Sequence, residues 1–367
     1  MKTGRYNPGA MTHVFVSPHP DDVALSCGGL IASLRELGQN VAILTVFSGN
    51  GQAEGLTPYQ REALGFGSKA LWPVTEAFNR ANIPNDVGAD DAPLPAWAAT
   101  ADRLDATQAD ADAAAKRFWQ RSSWYRRASI HNESLAGQPV IDRLPTQGAV
   151  LTVELTEAEA AADAMATRRL EDERYAYFAE ASLVLLDLPD AVFRGYEGDA
   201  ELLGQPRADD PTPVELIRRE IARLEPQKVY FPLGVGGHVD HQLVRNVGLA
   251  MIGDARRWVM PGPEWAGIVS FYEDFPYAWW NDFRSIDDLG EGLRELPYDV
   301  SIVPEYADIS DQLERKINGL TIYESQLPRL FGGPREMADA VRGYGRKIGA
   351  LGGLGGHAER YWSSLTL

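Results

Sequence analysis

The most constraining feature of the chain is a strand, helix, strand pattern close to its N-terminus. Residues 13–17 (HVFVS) form a short β-branched run, residues 23–37 repeat apolar side chains at helical spacing and stop at Gly38, and residues 41–47 (VAILTVF) are a second apolar run. That order predicts a βαβ unit, whose crossover lays the two strands side by side and parallel. Both strands are continuously apolar rather than alternating, so a sheet covered by helices on both faces is expected. Further strands are expected at 182–186, 228–232 and 268–272, and helices at 156–181, 213–224, 240–252, 310–326 and 334–348. Thr156 and Glu159 supply a capping box for the first of these helices. The expectation is one α/β domain over 11–367, with a Rossmann-like, mostly parallel sheet and a long insertion after the second strand. The insertion, 49–150, is rich in Ala, Asp and Pro and reads as a lid or as accessory helices; residues 1–10 read as a leader or disordered segment.

Charge narrows the partners. Against 35 Lys and Arg stand 52 Asp and Glu, a net charge of −17. Such a surface repels polyanions, which argues against nucleic acid and anionic membranes. Cys27 is the single cysteine, so no intramolecular disulfide forms and a reducing, cytoplasmic setting is expected. No run approaches the ~18 apolar residues of a membrane span. Assembly as a homo-oligomer is left open.

Two short segments concentrate the chemistry. Ser17-Pro18-His19-Pro20-Asp21-Asp22 lies where the first strand hands over to the first helix, and Gly236-Gly237-His238-Val239-Asp240-His241 lies at the corresponding place after strand 228–232. In an open parallel sheet, loops at the carboxyl ends of strands line the ligand crevice. One of the paired aspartates can serve as a helix N-cap. A histidine, two carboxylates, and then two histidines flanking an aspartate are hard to explain as packing alone. Two imidazoles and a carboxylate with an open fourth position are a usual catalytic zinc set, leaving side chains over for proton transfer. Of His19, Asp21, Asp22, His238, Asp240 and His241, three would bind metal and three would remain.

The HPDD and HxDH pair resembles the LmbE/PIG-L family of zinc-dependent N-deacetylases. The resemblance extends to 168–172 (RRLED), 188–194, 271–277 (FYEDFPY), 323–326 and 359–362, and does not extend to the insertion. It implies His19, Asp22 and His241 as ligands of Zn2+, with iron or cobalt able to occupy such a set. It further implies Asp21 as the general base for a metal-activated water, His238 as oxyanion stabiliser or leaving-group acid, and Asp240 as the residue that orients His238. The implied substrate is a small-molecule N-acetylated amino sugar or a conjugate of one. Two departures from the family pattern stand out: Val23 follows the aspartate pair where many relatives carry an acid, and Gly236 stands where some carry a tyrosine.

Arg168 and Arg194 are candidate substrate contacts, with structural ion pairs to Glu171 or Asp190 as the other reading, and Glu171 is counted among acids with a site-directed role. Trp279 and Trp280 could stack on a sugar or simply pack. Cys27-Gly28-Gly29 lacks the order of a dinucleotide loop and reads as a close-packing surface of a helix, and 352–356 (GGLGG) reads as a loop rather than a phosphate cradle. Two alternative functions are hydrolysis of a non-sugar N-acyl amide, and a catalytically idle relative that binds sugar or metal.

Overall fold

In the computed structural model the two N-terminal apolar runs become strand β1 (Thr12–Ser17) and strand β2 (Asn40–Thr45), joined by helix α1 (Asp22–Glu36). The strands pair in parallel from Thr12 opposite Asn40 to Ser17 opposite Thr45. Every residue of both strands is buried, which is why neither alternates polar with apolar. The structure describes residues 9–49, 57–63, 157–210, 212–254, 267–293 and 300–366. Apart from Gly49 and 57–63, the expected insertion lies outside the described residues, as do 1–8 of the expected leader.

The chain continues through helix α2 (Glu157–Phe178), strand β3 (Ser182–Leu185), helix α3 (Val214–Arg223), strand β4 (Lys228–Pro232), helix α4 (Val239–Asp254) and strand β5 (Val269–Tyr272). It closes with strand β6 (Val300–Asp308), helices α5 (Leu313–Leu320) and α6 (Pro334–Leu351), and strand β7 (Ala358–Thr366). The 7-stranded sheet has the order β3-β2-β1-β4-β5-β7-β6. Strands β1 to β5 are mutually parallel. Their order reverses at β1, with β2 and β3 on one side and β4 and β5 on the other, so a crevice opens between the loops that leave β1 and β4. Among the described residues no helix is long and apolar enough to cross a membrane.

The C-terminal edge departs from the sequence reading, which placed only helices and a loop there. Strand β7 pairs antiparallel with β5, setting Phe271 opposite Trp362, and β6 pairs antiparallel with β7 from Val300↔Thr366 to Asp308↔Ala358. Pro304 lies within β6, and its place at the sheet edge is where a residue without an N–H is tolerated. The GGLGG segment links α6 to β7, with Gly353 at φ +69°. Trp279 stands edge-on to Tyr344, and Trp280 packs against Phe331 and Tyr277.

Strand β7 also reaches into α1. The Glu359 carboxylate accepts the backbone N–H of Gly29 and of Leu30, each at 2.8 Å, and the Tyr361 hydroxyl and Lys316 Nζ at 2.7 Å. A Cβ at Gly29 would lie 2.5 Å from Ile309 Cγ2 and 2.9 Å from Glu359 Oε1, so a side chain is sterically excluded there. We expect Gly29→Ala to lower the free energy of unfolding by about 1–3 kcal/mol, the range for overpacking a filled interior. Urea denaturation measures it, and an unchanged midpoint would refute this account of the contact.

His13 gives a second expectation. Its Nδ1 lies 3.3 Å from the Tyr230 hydroxyl. Burial, with Lys228 adding, pushes this imidazole down to about 4. The unfolded chain therefore takes up a proton near pH 6.5 that the folded chain refuses. Stability contributed by the neutral ring is present above pH 6.5 and is lost as the pH falls towards 4. A His13→Phe variant should lose less stability than wild type between pH 6.5 and pH 4.5 in paired urea titrations; equal losses would contradict the assignment.

Candidate active site

The first loop is shaped by its own side chains. Ser17, the last residue of β1, donates its hydroxyl to the His19 carbonyl at 2.6 Å and accepts the Val23 N–H at 3.2 Å. Leu25 N–H bonds to the Asp21 carbonyl at 2.9 Å, opening α1. Asp21 itself takes φ +108°, a conformation that costs a non-glycine residue about 1–3 kcal/mol. Its neighbour Asp22 accepts the His19 N–H at 2.8 Å through Oδ2, the same oxygen that lies 3.1 Å from His19 Nδ1 and 3.3 Å from His241 Nε2. Asp21 turns elsewhere: its Oδ1 is 3.9 Å from Arg168 Nη2.

The second loop leaves β4 and enters α4. Gly236 has φ +87°, and a Cβ there would stand 2.6 Å from the ring of Tyr277, which is edge-on to His241 with centroids 5.6 Å apart. The space that a tyrosine at 236 would need is thus occupied by Tyr277. One turn of helix sets the His238 and His241 rings 5.2 Å apart, and His19 comes within 4.8 Å of the first and 5.4 Å of the second. All six residues expected at the site, His19, Asp21, Asp22, His238, Asp240 and His241, are buried around the mouths of β1 and β4.

What stands behind each ring differs. His241 Nδ1 donates to Asp274 Oδ1 at 2.6 Å, and Asp274 Oδ2 accepts the N–H groups of Gly234 and Val235 at 2.7 and 2.9 Å. His19 Nε2 donates to Asp240 Oδ2 at 2.9 Å. His238 Nδ1 accepts the Asp240 backbone N–H at 3.2 Å. The expectation that the Asp240 carboxylate orients His238 is therefore corrected: that carboxylate is taken by His19, by the Ala191 N–H at 3.0 Å, and by Arg194. Asp240 hydrogen-bonds His238 through its backbone N–H, and its carboxylate acts on that ring by charge alone.

The electrostatics follow from carboxylates crowded in low dielectric. Burial opposes charge on His19, but Asp190, Asp22 and Asp240 overcome it and raise this ring to about 9. The His241 ring is likewise held well above its ordinary value, against burial, by Asp22 and Asp274. Burial disfavours charge on Asp22 too, yet His241 and His19 hold it well below the usual carboxylate range. Asp21 is pushed up to about 8 by burial and then by Asp22, with Arg168 and His19 opposing. His238 falls well below its ordinary value through burial and the nearby His19 and His241. The pocket demands positive charge at His19 and His241, supplied by protons or by a cation that displaces them. Ring nitrogens of His19, His238 and His241 lie within 4.8 Å of one another, as do the ligand atoms of His19, Asp190 and Asp240. This buried His/Asp group fits a divalent metal.

Asp274 carries no assigned role in the sequence reading, and Asp190 is expected there only as an ion-pair partner of the arginines. Asp190 caps a short 3-10 turn by accepting the Val192 N–H, and its other oxygen is 3.6 Å from both His19 Nε2 and Arg168 Nη1. Both residues lie in segments that resemble the family, 188–194 and 271–277, and that likeness is the one signal that could have found them. Glu171, expected to act at the site, instead accepts the Ser325 N–H and hydroxyl at 2.8 and 2.6 Å and pins the turn after α5.

A mostly parallel α/β sheet with a buried His/Asp cluster at its strand-order reversal defines the class: an α/β protein with a metal-type site. The family model for GlcNAc-PI de-N-acetylase, PIG-L, matches residues 14–70. A 2'-N-acetylparomamine deacetylase from Streptomyces fradiae is 31% identical over 210 residues, covering 53% of this chain and 69% of the relative. The chain belongs to the GlcNAc-PI de-N-acetylase (PIG-L) family. Among solved structures, the A40926 pseudoaglycone deacetylase Dbv21 superposes with TM-score 0.53 at 18% identity, covering 96% of this chain and 97% of its own. The zinc-inhibited form of teicoplanin deacetylase Orf2 gives TM-score 0.54 at 18% identity, covering 97% and 98%. At that identity the likeness establishes the shared fold.

The two arginines separate. Arg194 gives Nε and Nη2 to Asp210, Nη1 to the Pro189 carbonyl at 2.7 Å and Nη2 also to Asp240, and its guanidinium lies 4.6 Å from the Phe47 ring centroid. It is an internal clamp, with partners other than the Glu171 or Asp190 expected from sequence. Arg168 is less fully engaged: its Nε is buried without a hydrogen-bond partner among the described residues. Removing Arg194 takes the guanidinium from buried Asp240 and half-buried Asp210, so we expect Arg194→Met to destabilise the fold by about 3–5 kcal/mol. A denaturation midpoint near wild type, with only KM altered, would return Arg194 to substrate binding.

Proposed function

We propose that the protein is a zinc-dependent N-deacetylase that hydrolyses the acetamide of an N-acetylated amino sugar or its conjugate. The observation that carries the reading is the convergence of His19 Nδ1 and His241 Nε2 on one oxygen of Asp22, at 3.1 and 3.3 Å. Each of these rings has a carboxylate at its other nitrogen, the arrangement that leaves a bare lone pair facing a metal. His19, Asp22 and His241 are the residues that would hold the ion. His238 is set apart from them because its Nδ1 is occupied by a backbone N–H, which fixes the neutral ring as the Nε2–H tautomer, a donor.

A divalent cation there supplies the Lewis acidity that makes water nucleophilic at neutral pH. Asp21 would be the carboxylate that accepts a proton from the attacking water: Arg168 at 3.9 Å and the charge of a bound cation would favour its ionised form against the burial and the Asp22 charge that raise it, while Asp22 would hold the ion. His238 presents Nε2–H to the oxygen that gathers negative charge as the carbonyl becomes tetrahedral. Asp240 acts one step back, holding His19 through its carboxylate and His238 through its N–H. Arg168, whose Nη2 lies 3.9 Å from Asp21, is the residue we assign to a substrate hydroxyl. The acetylated amino-sugar class comes from the family and from the Streptomyces fradiae relative, whose name specifies 2'-N-acetylparomamine.

We expect Asp21→Asn to retain zinc stoichiometrically while lowering kcat about 10²–10⁴-fold, the usual worth of a general base. Amine release from N-acetyl amino sugars and their conjugates, run beside simple N-acyl amines and paired with metal analysis, checks both halves. Wild-type turnover in the variant would remove Asp21 from the chemistry. Release from the simple amides alone would move the substrate out of the sugar class, and no release from any of them by the zinc-loaded wild type would favour a non-catalytic binding protein.

A further inference from the structure

The carboxylate of Asp274 does two jobs with its two oxygens. Oδ1 accepts the His241 Nδ1–H at 2.6 Å, and Oδ2 accepts the N–H groups of Gly234 and Val235, in the loop that leads into His238 and His241. The residue is 1% exposed. It is held from its own side of the sheet: the Ala278 N–H bonds to its carbonyl at 2.8 Å, and the preceding residue, Glu273, is clamped by Arg360 Nε, the Tyr344 hydroxyl and Trp362 Nε1. An imidazole so placed has one nitrogen committed as a donor and can offer a lone pair only from the other.

We propose that Asp274 is a positioning residue that selects the His241 tautomer with a bare Nε2 and fixes that nitrogen opposite Asp22, so that metal affinity depends on it. The inference rests on the ligand set given under the proposed function. Substitution by asparagine tests it sharply. The Asn carbonyl keeps its place on the Gly234 and Val235 N–H groups, because the flipped amide would set N–H against two N–H groups. The amide NH2 then faces His241 Nδ1, which must become the acceptor, and the ring proton moves to Nε2, where it opposes a metal ion. The loop keeps its hydrogen bonds while the ligand loses its lone pair.

The test uses the full-length protein and zinc ion alone, with Kd measured by competition against a chromophoric chelator for wild type, Asp274→Asn, Asp274→Glu and His241→Ala. The expected result is zinc binding weaker by about 10–100-fold in Asp274→Asn, as for loss of an outer partner of a metal-binding histidine, in a protein that still unfolds cooperatively without metal. Asp274→Glu, which restores an anionic acceptor, should bind zinc more tightly than Asp274→Asn. A Kd in Asp274→Asn within twofold of wild type, or equal losses in the Asn and Glu variants, would overturn the proposal. If His241→Ala also bound zinc as tightly as wild type, the ligand set itself would fall. If His241→Ala lost zinc and Asp274→Asn did not, only the positioning role would.

Discussion

The 2.9 Å contact between His19 Nε2 and Asp240 Oδ2 joins two loops separated by 221 residues of chain. Each loop belongs to a different strand-to-helix junction, and the two meet because the sheet reverses its strand order between β1 and β4. Neither loop can hold its charged side chains alone. His19 needs Asp240 behind it as well as Asp22 in front, and Asp240 needs His19, Arg194 and the Ala191 N–H to remain ionised without water. The site is therefore a property of the assembled sheet, in which buried charges on one loop are satisfied by groups on the other.

Carboxylates outnumber fixed cations in this pocket. Asp21, Asp22, Asp190, Asp240 and Asp274 surround three imidazoles, with Arg168 and Arg194 as the permanent positive charges. Imidazoles are the adjustable members of the set, because each can carry a proton, yield it to a metal, or stay neutral. The acidic surplus of the whole chain is thus not only a surface property. Part of it is buried where it tunes the affinity of a handful of ring nitrogens for positive charge.

Much of this was readable before the fold was known, for a physical reason: the HPDD and HxDH groups are local patterns, and the turn from strand to helix that displays them is written in a few adjacent residues. The βαβ unit at 13–47 was legible on the same ground, since apolar periodicity and Gly38 act locally. What escaped was non-local. Asp274 and Asp190 become significant only when the ends of β5 and β3 are carried to the β1 and β4 loops by the strand order. Arg194 reads from sequence as either a substrate contact or an ion-pair partner, and the partners that decide it, Asp210 and Asp240, are set around it only by the fold. The antiparallel pair β6 and β7 is absent from the sequence reading, and its register depends on partners far along the chain.

Glu359 draws a consequence from this long reach. Its carboxylate bonds to two amides within α1, the helix that begins at Asp22, across a sequence separation of 330 residues. During synthesis the first βαβ segment leaves the ribosome some 330 residues ahead of the acceptor that braces its helix. The half of the site built on β1 and α1 thus stays unfinished until β7 docks beside β5, and a chain without β7 keeps every residue of the His/Asp cluster yet lacks the brace on the helix that presents Asp22.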